Sequence, residues 1–157
     1  MDRIFKISVN ILLQCSCLIL INVAELQAQK KVKLVAIAST CDSLKYTVAA
    51  KFDSIKCDSL NCKVAAKFGR APIFIIYNLE NGRFTVVNNM NPNATGAGTN
   101  IVNEMIKRNV DAVITQDCGM KSLDILRSAS IRVFSDVKGT VNNAIADFKK
   151  GKLKEKK

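Results

Sequence analysis

Residues 110–115, Val-Asp-Ala-Val-Ile-Thr, are apolar at successive positions rather than at alternate ones. A strand with that pattern is buried on both faces, which happens where helices cover both sides of a parallel sheet. The flanking sequence agrees. Across residues 99–109, Ile101, Val102, Met105 and Ile106 recur at helical spacing. After the run come a turn, Gln116-Asp117-Cys118-Gly119, a second helix over 120–129 and an apolar strand over 131–134. Gly139-Thr140 opens a third helix, with Thr140 as its N-cap and Val141, Ile145 and Phe148 on its inner face. Upstream, residues 32–38 read as a first strand. Residues 73–79 and 84–88 read as two more, joined by the hairpin turn Glu80-Asn81-Gly82-Arg83. A hairpin followed by alternating helix and strand specifies an α/β fold, a mixed sheet with parallel crossovers covered by helices.

The entry to the second strand is marked by Phe68-Gly69-Arg70-Ala71-Pro72. Gly69 allows positive φ and Pro72 drives Ala71 to an extended conformation, so a bend is expected there with Arg70 at its outside. Part of this stretch is spelled twice. Residues 41–56 and 57–72 share Cys-Asp-Ser-Leu and Val-Ala-Ala-Lys-Phe, nine identical positions in sixteen. Two copies are too few for a solenoid. Only the second copy carries the bend, so the first is the expected insertion in a doubled loop.

The first 28 residues have a basic start, an apolar middle over 7–24 and Ala28 before a polar stretch, the plan of an export signal. Cleavage after Ala28 would place the protein in the periplasm or outside the cell. An uncleaved segment would instead anchor it to a membrane through residues 7–24. The net charge is +11, of which residues 149–157 carry six lysines and one glutamate, expected as a solvated basic tail. With no tryptophan and no basic stripe interleaved with aromatics, nucleic-acid binding is not supported. There is no histidine, which removes the commonest general base and metal ligand and every Ser-His-Asp or Cys-His catalytic arrangement.

Chemistry is therefore left to cysteines, cations and backbone amides. In a mixed sheet the ligand sits beyond the carboxyl ends of the parallel strands. Cys41 and Cys118 fall at that rim. Cys118 with Cys41, Cys57 or Cys62 could hold a metal or an iron–sulfur-type cluster as thiolates. Arg70 and the Gly96-Ala97-Gly98 loop, which opens a helix, would add positive potential. The competing reading for an exported chain is that Cys41, Cys57 and Cys62 pair by disulfide to staple the enlarged loop, with Cys118 left free or joining as the fourth. The domain would then hold no metal and act as a protein-interaction module. A redox enzyme has little support, because there is no Cys-x-x-Cys pair.

The ordered set Ala36-Ile-Ala-Ser39, Phe68-Gly-Arg-Ala-Pro72, Leu79-Glu-Asn-Gly82, Asn91-Pro92-Asn93, Gly96-Ala-Gly98, Val110-Asp-Ala-Val-Ile-Thr115, Gly119 and Gly139-Thr140-Val141 resembles the dinitrogenase iron–molybdenum cofactor biosynthesis family, the NifX and NafY type of domain. The resemblance covers residues 32–153. It implies a three-layer α/β/α sandwich with a ribonuclease-H-like motif, whose five-stranded mixed sheet has the order 3-2-1-4-5 with strand two antiparallel. It also implies a non-catalytic protein that binds or carries iron–molybdenum cofactor, an iron–sulfur-type cluster or a precursor. On that reading Cys118, Cys41, Arg70, Gly96, Gly98 and Gly119 line the cofactor site, and Cys118, Cys57 and Cys62 supply metal ligands. Lys67 stands where members of the family often carry histidine.

Overall fold

A computed structural model describes residues 31–41 and 60–156. The expected signal over 1–28, most of the first loop copy, and Cys57 lie outside the described residues. Among those described, no helix is long and apolar enough to cross a membrane.

Five strands form one sheet: β1 (Leu34–Ser39), β2 (Ile73–Asn78), β3 (Phe84–Asn88), β4 (Ala112–Ile114) and β5 (Arg132–Phe134). Their order is β3-β2-β1-β4-β5. β2 is antiparallel to both neighbours, and β4 runs parallel to β1 and β5. The helices are α1 (Ala97–Lys107), α2 (Met120–Ser128) and α3 (Val141–Lys149). Among the described residues, the sequence expectation of strand order, strand direction and three covering helices is met.

Strand periodicity divides the core into two layers. Ala36, Phe74, Ile76 and Val113 face one side and pack with Val102 and Met105 of α1 and Leu123 and Leu126 of α2. Ile37, Ile73, Ile75 and Ile114 face the other and pack with Val141, Ala144 and Ile145 of α3. Phe68 seals the first layer edge-to-face on Phe74, with ring centroids 5.1 Å apart. Thr140 caps α3 as expected, its Oγ1 accepting from Asn143 N at 3.2 Å. Gly82 takes the positive φ of +72° that the hairpin turn requires.

Two expectations change. Gly69 lies in a single 3-10 turn, Phe68–Arg70, and does not take a positive φ. A Cβ there would lie 2.8 Å from both Cα and N of Gly98. Glycine is needed because two backbones touch, and not because of its φ. The basic tail is also docked rather than solvated along its whole length. Lys156 N donates to Val133 O at 2.8 Å, Glu155 bridges Phe134, and its carboxylate meets Arg132 Nε at 2.8 Å. Leu153 packs on the second core layer. The physical reason is that β5 would otherwise be a bare edge, and residues 153–156 cover it.

Candidate cofactor-binding cleft

The crevice beyond β1 and β4 is crossed by residues 63–68. Thr40 N donates to Lys63 O at 3.0 Å, Ala65 N to Ala38 O at 2.8 Å, and Phe68 N to Asp117 O at 2.8 Å. Gln116 Nε2 donates to Val64 O at 2.9 Å. This strap fills the space directly above the two strands and leads into the 3-10 turn. Asn89 then fixes the turn, its Nδ2 donating to Gly69 O at 3.1 Å and Ala71 O at 2.9 Å.

The opening that remains lies on the α1 and α2 side. It is a cleft of about 480 Å³ whose walls include Lys67, Gly69, Arg70, Gly96, Gly98 and Gly119. Two helices begin there. Gly96 is the N-cap of α1, in a left-handed conformation, and Gly119 is the N-cap of α2. Neither helix has a side-chain cap bond or an acidic residue in its first turn. Their amide ends therefore meet the cleft without a covalently attached anion to neutralise them. Lys67 and Arg70 add two cations, against the single carboxylate of Asp117. The balance favours an anion.

The glycines divide the labour. Gly98 is packed: a Cβ on it would collide with the Oγ of Ser122 on α2. Gly119 has nothing within 4 Å of its Cβ position and opens onto the cleft. Lys67, Thr95 and Ser122 also line the site and were not in the sequence-derived set. Lys67 carries two sequence signals, its position next to Phe68-Gly69-Arg70 and its place where family members often have histidine. Ser122 carried none, because its proximity to Gly98 arises from helix packing.

The cysteines do not form the expected ligand set. Cys41 and Cys62 are joined as a disulfide with Cα atoms 5.6 Å apart, so in this state neither presents a thiolate to a metal. The pairing instead closes the doubled loop, which meets the structural reading for Cys41 and Cys62, while Cys57 lies outside the described residues. Closing a loop of that length restricts the unfolded chain by about 3 kcal/mol. Cys118 has its backbone at the rim but its side chain in the first core layer, 2% exposed. Its sulfur lies 3.8 Å from Gly119 O. Burial pushes this thiol from 9.0 up to about 11, with Lys156 opposing the shift and Asp117 adding to it. A metal-poised cysteine is shifted the other way. Among the described residues, no group of three or more histidine, cysteine, aspartate or glutamate side chains could hold a metal ion.

The raised thiol gives a prediction with a definite sign. Folded Cys118 keeps a proton that the unfolded chain releases, so its contribution to stability is complete below about pH 9 and is lost as pH rises through about 11. The urea midpoint of the wild type should fall more steeply across that window than that of Cys118→Ala. Iodoacetamide at pH 8 should modify Cys118 only after unfolding. Equal alkylation rates in native buffer and in urea would show that the thiol is not buried as described.

The comparisons with known proteins agree with this architecture. Residues 54–151 match the family model described as dinitrogenase iron-molybdenum cofactor. No curated protein matches the chain. Among solved structures, the apo form of the orange protein from Desulfovibrio gigas superposes with a TM-score of 0.66 at 22% identity, covering 81% of this chain and 95% of that one. A Thermotoga protein named as a NifB candidate superposes at 0.61 with 30% identity, covering 78% and 92%. A Methanocaldococcus jannaschii protein named as a dinitrogenase candidate superposes at 0.53 with 19% identity, covering 81% and 97%. The first and third likenesses speak for the fold alone. The family match spans well over half of the chain and the Thermotoga relative reaches 30% identity, so the chain belongs to the dinitrogenase iron-molybdenum cofactor family.

Proposed function

We propose that the protein is a non-catalytic carrier that holds an anionic metal–sulfur species as cargo, either iron–molybdenum-type cofactor, an iron–sulfur cluster or a precursor of these. Family membership supports the class of cargo. The observation that carries the mode of binding is the meeting of two uncapped helix N-termini with Lys67 and Arg70 in one cleft. Amides and cations hold an anion through its outer atoms, so the cluster would keep its own sulfide ligands and need no cysteine from the protein. That suits a carrier, because release then breaks no metal–protein bond.

We further propose that the chain is exported, with residues 1–28 as its signal. The Cys41–Cys62 disulfide supports an oxidising compartment. The same disulfide is what favours the second reading, a stapled interaction domain with no metal.

The test uses thiomolybdate and a synthetic thiolate-ligated iron–sulfur cluster, with visible absorbance retained on gel filtration as the readout. The double variant Lys67→Glu, Arg70→Glu should weaken retention by about 30-fold, since two attractions become repulsions in a partly desolvated cleft. Cys118→Ser should retain either probe as the wild type does. Loss of binding in Cys118→Ser, or none in the charge-reversed variant, would replace this mode with thiolate ligation. Failure of both probes to bind the wild type would favour the second reading.

A further inference from the structure

The two edges of the sheet are treated differently. The β5 edge is covered by the chain's own residues 155 and 156. Among the described residues the β3 edge is bare. Asn89 N donates to Pro72 O and Asn78 N to Arg83 O, and the β2–β3 register pairs Phe74 with Val87 and Ile76 with Thr85. These bonds alternate along the strand, so Thr85 and Val87 bond inward to β2 while Phe84, Val86 and Asn88 turn their N–H and C=O outward. Among the described residues nothing bonds to those three outward pairs. β3 also lacks the usual protections, having no lysine, proline or bulge between 84 and 88.

Beside this edge, clefts of about 480 and 450 Å³ run along α1, and both reach Arg108. The first places Arg83, Lys107 and Arg108 against Phe84 and Thr85. Its charged side chains are all cationic. Among the described residues, Arg108 alone of the three is in an ion pair, with Glu104 at 2.7 Å, which lies in the second cleft. In that second cleft Asn88 Oδ1 is buried with no hydrogen-bond partner. An acceptor left in that state costs free energy until a donor reaches it.

From this edge and its charge we infer that β3 is a docking site for an acidic, extended segment of a partner protein. The segment adds to the sheet as a sixth strand beside β3, its main chain bonding to Phe84, Val86 and Asn88. Its acidic side chains meet Arg83 and Lys107. Main-chain bonds supply affinity in this mode, and the flanking charges choose the partner. A second copy of this chain fits less well, because it brings the same cations to the same edge. The surface is independent of the cofactor cleft, and either can fail without the other.

The probe is a fluorescein-labelled octapeptide alternating glutamate and valine, titrated against the full chain by anisotropy. A second peptide is N-methylated at every backbone amide, so that neither of its edges can donate. Binding of the first should weaken with salt, and N-methylation should weaken it at least about ten-fold. Val86→Pro removes one outward N–H without removing a bond to β2, and should weaken binding by a similar factor. Arg83→Glu with Lys107→Glu should do the same and invert the salt dependence. If the N-methylated peptide binds as well as the parent, the attraction is charge alone and the added strand is wrong. The N-methylated peptide decides the matter even if Val86→Pro fails to fold. No binding of the parent peptide, or a β3-dependent dimer seen by sedimentation in its place, would overturn the proposal.

Discussion

Gly69→Val is expected to cost about 3 kcal/mol or more, a large part of the stability of a domain this size. The reason is where the new atoms would go. A Cβ at residue 69 would lie 2.8 Å from Cα and N of Gly98, and those atoms are the backbone of α1's first turn. A flexible side chain could swing away, but a helix backbone cannot. Nor can the 3-10 turn retreat, since Phe68 N is bonded to Asp117 O and Gly69 O to Asn89. Any relief must pry Phe68, 1% exposed, out of the first core layer. Gly69→Ala carries the same Cβ and should show most of the effect. Gly119→Ala is the internal control. It lies in the same cleft with an ordinary φ of −63° and nothing within 4 Å of its Cβ position, so its urea midpoint should stay near that of the wild type. Separating the turn from α1 would also carry Arg70 away from the Gly96 amide end, so any Gly69→Ala that folds should retain less thiomolybdate. An unchanged midpoint for Gly69→Ala would mean that the glycine pair does not fix the cleft.

Gly69 also shows where sequence reading stops. Strand alternation, the Asn81-Gly82 turn and the Thr140 cap are local signals, each decided within a few residues, and the structure keeps all of them. The ordered motifs extended that reading to the strand order. The reason for Gly69 is not local, because it lies 29 residues away at Gly98, so the sequence offered φ as the explanation and the structure offers contact. Cysteine spacing was equally silent about pairing: Cys41 and Cys62 meet because β1 ends beside the strap. Cys118 was correctly placed at the turn after β4, but its direction depended on the local backbone, which turns the sulfur inward. The tail's composition suggested a solvated end, and the unpaired edge of β5 decided otherwise.

Asp111→Ala should destabilise the fold by about 2–4 kcal/mol while leaving the candidate cleft intact in the molecules that remain folded. Asp111 sits just before β4, at the end of the sheet opposite the cleft, and is 8% exposed. Its Oδ2 accepts from Lys33 N at 2.9 Å and from Leu34 N at 3.1 Å. Its own N donates to Leu34 O and its O accepts from Arg132 N, both at 3.0 Å. One residue therefore ties the start of β1 to β4 and β5. Alanine keeps the two main-chain bonds and removes the carboxylate, leaving two amides at the mouth of the core without their acceptor. Asp111→Asn retains an oxygen in that place and should cost less than alanine, the difference being the loss of charge on the acceptor. Hydrogen exchange gives the specific readout: the Lys33 and Leu34 amides should lose protection in Asp111→Ala well before those of β2. If all strands lose protection together by the same factor, Asp111 acts through global stability alone. If Asp111→Asn is as damaging as alanine, then charge and not hydrogen bonding holds the start of β1.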